Sequence, residues 1–192
     1  MAGKIGVLAL QGDVSEHIGA FERALGPGAE TRVVAVRRAE QIADLDAIAL
    51  PGGESTTISR LIEKNGMHRL LAEFEGGIFA TCAGMVLVAS EVDDPRVSPL
   101  GILDIGVERN AFGRQAESHE AYLEIAGLDE PFHAIFIRAP LASRVGAGVE
   151  VLARTELGVV AVRQGRHMAF SFHPELAGDL RLHRLFLENL SL

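Results

Sequence analysis

The sequence predicts an α/β fold in which a mostly parallel, mixed sheet is flanked by helices. Two observations carry this: short apolar runs alternate with helix-like stretches in the first half, and strand signals crowd the second half before a closing helix. KIGVLAL, residues 4–10, has the continuous apolar character of a strand covered on both faces. Asp13 with Glu16 then gives a capping-box-like start to a helix ending near the GPG at 26–28. TRVVAV (31–36), DAIALP (46–51) and GIFATC (77–82) repeat the strand signal, with helical stretches around 56–64 and 67–74 between the last two. AGMVLVAS, 83–90, reads as a further helix. Beyond it DIGVERN, AYLEIAG, HAIFIRAP, VEVLART, GVVAVRQ and HMAFSFH are strand candidates, and a helix is expected over about 179–190.

A chain of 192 residues without repeats, low-complexity segments or long linkers is expected to form one domain over 1–192. Eighteen Lys and Arg against 26 Asp and Glu give a net charge of −8, with no basic run to follow a phosphate backbone. One Tyr, no Trp and nine scattered Phe make no base-stacking platform, so nucleic acid is not an expected partner. No apolar run approaches the roughly 18 residues of a membrane span. The first residues are too soon acidic for a secretory signal, and a lone cysteine closes no intrachain disulfide. The expected location is the reducing cytoplasm.

That cysteine, Cys82, falls where the strand GIFAT meets a helix, between small residues. A sharp strand-to-helix turn lifts a side chain from the sheet edge, and the helix N-terminus favours a thiolate and can stabilise an oxyanion. From this stretch alone a buried structural thiol is an equal alternative. A nucleophile needs a base, and SFHPEL supplies His173 with Glu175 two residues on. In an extended segment both side chains would point to one side, the carboxylate orienting the imidazole. A solvated turn is the alternative there. LPGGESTT lets backbone N–H groups approach a ligand, so Gly52 and Gly53 are candidates for an oxyanion hole facing Cys82, a plain glycine turn followed by a helix cap being the alternative. The lysine and spacing of a phosphate-binding Walker loop are absent. The other histidines, at 17, 68, 119, 133, 167 and 183, show no ligand spacing. No metal is assigned, and surface or structural roles are expected for them.

LALQGD, PGGESTT, ATCAGM, VERNAFGRQ, FIRAP and SFHPEL follow in order over nearly the whole chain, which closely resembles the glutaminase subunits of pyridoxal 5'-phosphate synthase. The resemblance implies a class I glutamine amidotransferase-like fold, a flavodoxin-like three-layer arrangement. It implies hydrolysis of L-glutamine to glutamate and ammonia, with ammonia passed to a separate synthase subunit. Pyridoxal phosphate is then a product of the complex and no cofactor of this chain. By the same resemblance Cys82 is the nucleophile, His173 the base and Glu175 its orienter. Gly53, Glu54, Ser55, Arg109, Ile137 and Arg138 form the glutamine site, Ala83 joins the glycines at the oxyanion hole, and Gln11 lies near the synthase interface. Two departures stand out: Ala80 replaces a more usual glycine, and ESHEAYL, with His119 and Tyr122, differs from the usual pattern on a strand expected outside the active site.

Overall fold

The computed structural model describes residues 3–109, 111 and 118–191. In the first half β1 (Lys4–Leu8), β2 (Arg32–Val36), β3 (Ala47–Leu50) and β4 (Gly77–Thr81) alternate with α1 (Val14–Leu25), α2 (Ser55–Lys64), α3 (His68–Ala72) and α4 (Ala83–Val88). The second half adds β5 (Ala89–Val92), β6 (Leu103–Glu108), β7 (Ser118–Leu123), β8 (Phe132–Ile137), β9 (Leu141–Val145), β10 (Glu150–Thr155), β11 (Gly158–Gln164), β12 (His167–Phe170) and the closing helix α5 (Arg181–Leu190). The main sheet runs β2-β1-β3-β4-β12-β11-β9-β6-β5, with β10 on β11, while β7 and β8 pair separately. β2, β1, β3, β4 and β12 are mutually parallel, and β11 and β9 run antiparallel to their neighbours. The mostly parallel mixed sheet expected from sequence is present.

Successive strand residues point to opposite faces, so the central strands divide their side chains between two cores. Ile48, Leu50, Ile78 and Ala80 pack with α2, α3 and α4 on one side. Ala47, Ala49, Phe79, Met168 and Phe170 pack with Phe21 of α1 and Phe186 of α5 on the other. This gives helix, sheet and helix layers.

Three expectations shift, and one strand is additional. The helix read over 83–90 stops at Val88, because Ala89 turns extended (φ −61°, ψ 157°) and opens β5. The strand read over AYLEIAG lies earlier, at Ser118–Leu123, where exposure alternates, and Gly127 at φ +93° belongs to a turn. β9, directly after Pro140, has too weak an apolar pattern to stand out in sequence. Asp13 occupies the N-cap of α1, yet its side chain makes no capping hydrogen bond, so the expected capping box is absent. Ala80, by contrast, is an ordinary strand residue paired with Leu50, and its φ is not positive, so alanine meets no conformational penalty there.

His183 of α5 is fully buried, 4.9 Å from the Phe79 ring centroid, and neither ring nitrogen has a hydrogen-bond partner among the described residues. Burial, aided by His17, pushes its pKa down to about 3 from the ordinary 6.5. The unfolded chain then binds a proton near 6.5 that the folded chain refuses, so stability is full above that value and falls as pH drops toward 3. His183→Phe is expected to flatten the fall in thermal midpoint between those two pH values, as read by melts across the range. An unchanged slope would place the acid sensitivity elsewhere.

Candidate active site

The parallel strands β1, β3, β4 and β12 all end at one edge of the sheet, and their following residues converge there. In open α/β sheets this carboxyl edge is where ligands bind. Leu50 pairs with Ala80, and Thr81 with Phe170, so the segments after β3, β4 and β12 emerge side by side.

Cys82 is the turn between β4 and α4. It is held at φ 48°, ψ −106°, a region that an L residue occupies at a cost of order 1–3 kcal/mol. Its N–H donates to the Phe170 carbonyl (2.8 Å) and its carbonyl accepts from Met85 (3.0 Å), which fixes the elbow from both sides. Gly84 lets α4 close on β3, since a Cβ there would collide with the Leu50 carbonyl oxygen. The thiol is 7% exposed and donates to the Ile137 carbonyl at 3.7 Å. The thiol is buried, but it forms part of a cavity wall.

His173 follows β12, its N–H donating to the Ile135 carbonyl (2.9 Å). Pro174 opens a 3-10 turn over Pro174–Leu176. Glu175 therefore reaches back from a turn, and not along an extended segment as the i, i+2 spacing suggests. Its Oε1 lies 2.7 Å from His173 Nδ1. Asp13 Oδ2 lies 3.3 Å from the same nitrogen. Burial opposes the charge on His173, but hydrogen bonds with Asp13, Cys82 and Glu175 outweigh it and lift the pKa to about 12. With Nδ1 facing both carboxylates, Nε2 is left for the sulfur. Asp13, His173 and Glu175 also form a cluster whose potential ligand atoms lie within 4.8 Å of one another. With Nδ1–H directed at the two carboxylates, that nitrogen has no lone pair to offer a cation.

Behind this pair lies His17, fully buried, with Nε2 3.0 Å from Thr81 Oγ1 and 3.5 Å from Glu175 Oε1. Burial lowers its pKa, keeping it neutral, against the pull of Glu175. It is a structural histidine, as expected, but one that abuts the candidate triad.

The glycine loop departs from its expected orientation in one respect. The Gly52 N–H donates to Thr81 Oγ1 (3.1 Å) and so is occupied within the protein. Gly53, at φ 152°, and Ala83, at the start of α4 where first-turn N–H groups lack intrahelical acceptors, do line the cavity. Gln11 Oε1 accepts the Glu54 N–H (2.9 Å), tying the segment after β1 to this loop. Glu54 caps α2 by accepting from Thr56 and Thr57. Although burial opposes it, these bonds hold its carboxyl at about 2. Arg109 Nη2 lies 2.9 Å from Glu54 Oε1, and Nη1 pairs with Asp94. Ile137 and Arg138, the latter at φ 44°, close the wall opposite Cys82, and Ser55 contributes from the first turn of α2. The cavity measures about 360 Å³.

Of the residues singled out in sequence, Gln11, Gly53, Glu54, Ser55, Cys82 and Ala83 meet Arg109, Ile137, Arg138 and His173 around that cavity. Glu175 stands behind His173, and Gly52 packs against the His173 ring. Most of the NAFGRQ segment lies outside the described residues. Two neighbours were not legible. Asp13 resembles a helix cap, and Asp94 is one of many surface acids until Arg109 folds onto it.

A cysteine at a strand-to-helix elbow of a mostly parallel sheet, facing a His–Glu pair from a later strand, is the architecture of the class I glutamine amidotransferases. The chain belongs to the SNO glutamine amidotransferase family, whose model matches residues 7–192. It is 67% identical over 190 residues to the pyridoxal 5'-phosphate synthase subunit PdxT of Methanoculleus marisnigri, covering 99% of each chain. It is 66% identical over 191 residues to the protein of the same name in Methanosphaerula palustris, covering 98% of each. A crystal structure of a glutamine amidotransferase superposes with a TM-score of 0.89 at 48% identity, over 98% of this chain and 99% of that one. The resemblance and fold class read from sequence are borne out.

Proposed function

We propose that residues 1–192 form one glutaminase domain that hydrolyses L-glutamine to L-glutamate and ammonia and delivers the ammonia to a pyridoxal 5'-phosphate synthase subunit. The observation that carries this reading is Cys82, strained at its elbow beside the His173 ring, whose Nδ1 lies 2.7 Å from Glu175 Oε1. His173 takes the proton of the Cys82 thiol, the thiolate attacks the amide carbon of glutamine, and the C–N bond breaks as His173 passes that proton to the leaving nitrogen, giving a thioester and releasing ammonia. Water, deprotonated by His173, then attacks the thioester and frees glutamate and the thiol. The N–H groups of Gly53 and Ala83 are suited to the oxyanion. Glu54 suits the substrate α-ammonium, and Arg109 or Arg138 its carboxylate, so the Arg109–Glu54 pair would open to receive a zwitterion. No helix among the described residues is long and apolar enough to cross a membrane, and we place the enzyme in the cytoplasm.

Two contacts of the loop support gating by the partner. With the Gly52 N–H on Thr81 and Gln11 holding Glu54, a contact that moves Gln11 can reorient the glycine peptides. One missing oxyanion donor costs about 10²–10³ in turnover. Excess synthase subunit is therefore expected to raise glutamine turnover by at least about tenfold. Gln11→Ala should blunt the rise more than it weakens glutamine binding. Glutamate release measured with and without the synthase is the test. No release in either case overturns the function; equal release with the complex formed overturns the gating alone.

A further inference from the structure

We propose that Asp13 is a positioning residue for the base, a second carboxylate on His173 Nδ1 that shares with Glu175 the holding of the imidazolium. The proposal rests on the reading of His173 as the base.

Its geometry is specific. Glu175 approaches Nδ1 at 2.7 Å from the buried side, where its side chain is inaccessible, and Asp13 at 3.3 Å from the cavity side, where its side chain is 36% exposed. Asp13 sits where a helix cap belongs, but its side chain leaves the α1 N–H groups uncapped and faces the histidine. Two glycines make the approach possible. A Cβ on Gly12 (φ +101°) would strike the Gly52 carbonyl oxygen, and one on Gly52 would strike His173 Cε1 and come within 3.0 Å of Asp13 Oδ2. The Asp13 N–H also reaches the Gly52 carbonyl at 3.3 Å, fixing the residue beside the ring.

The charges around His173 agree with this role. Its close titratable neighbours are Asp13, Glu175 and Cys82, with neutral His17 beyond Glu175 and Glu54, Arg109 and Arg138 around the cavity. Asp13 itself is held below the usual carboxylate range, first by its hydrogen bond with His173 and against its own burial. Two carboxylates on one Nδ1–H make each partly redundant. Loss of Glu175 leaves the imidazolium one anion, and loss of both leaves it none.

The test combines imidazole ¹⁵N titration with kinetics on the full chain. In a Cys82→Ala, Glu175→Gln background, which removes the thiolate and the buried carboxylate, adding Asp13→Asn is expected to lower the His173 midpoint by at least about one unit. The signal is assigned by its loss in His173→Asn, and Asp13→Glu should restore most of the shift. With Cys82 intact and the synthase present, Asp13→Asn combined with Glu175→Gln should lower kcat at least about fivefold more than the product of the single losses. An unmoved midpoint, or losses that simply multiply, overturns the proposal. Failure of the wild-type complex to hydrolyse glutamine would instead remove the proposed function and leave the titration to judge Asp13.

Discussion

Cys82→Ala is expected to abolish glutamine hydrolysis while the chain still folds and still binds its synthase. Removing the nucleophile of a comparable triad costs about 10⁶ in turnover, because the remaining groups only bind and polarise. The structural loss is small by comparison. The thiol gives up one long hydrogen bond to the Ile137 carbonyl, and alanine is smaller than cysteine at a site with 7% exposure. An electrophilic glutamine analogue should add to Cys82 and be found there by mass spectrometry. Adduct on another residue, or none with the synthase bound, means the nucleophile is misassigned. Loss of folding would return Cys82 to the role of a buried structural thiol.

The second large effect belongs to His173. Proton transfer by a positioned side chain contributes about 10²–10⁴ in rate, so His173→Asn is expected to cost that much in kcat at saturating glutamine. Glu175→Gln should cost the same or less, since the imidazole keeps a contact with Asp13. Steady-state rates at saturation separate this from packing, because a merely structural histidine would alter stability and leave kcat alone. An unchanged kcat excludes it as the base.

Much of this was legible because the determining physics is local. Apolar runs bounded by turn residues mark β1, β3 and β4, and the small residues around Cys82 mark an elbow whose positive φ the structure shows. The candidate triad could be listed because each member sits in a distinctive short motif. What was not legible depends on residues far apart in sequence. Asp13 shows its role only when β12 carries His173 alongside it, 160 positions later. The Gly52 N–H has a partner only because β3 and β4 are neighbours, bringing Thr81 alongside. The pairing of Arg109 with Asp94 and Glu54 likewise crosses between elements that no local pattern connects.

The placement of β12 between β4 and β11 carries a consequence for how the chain is made. When the ribosome has released β1 to β4, β4 lacks one of its two neighbours and offers an unpaired, mostly apolar edge. That edge waits until residues up to Phe170 emerge, an interval on the order of ten seconds at about 5–20 residues per second. An unpaired apolar edge is a template for pairing with other chains, so the nascent protein passes through an aggregation-prone stage that the finished one has closed. The same order leaves every chain shorter than about 175 residues without His173 and Glu175 in place. By the proposed mechanism, a chain that short releases no ammonia.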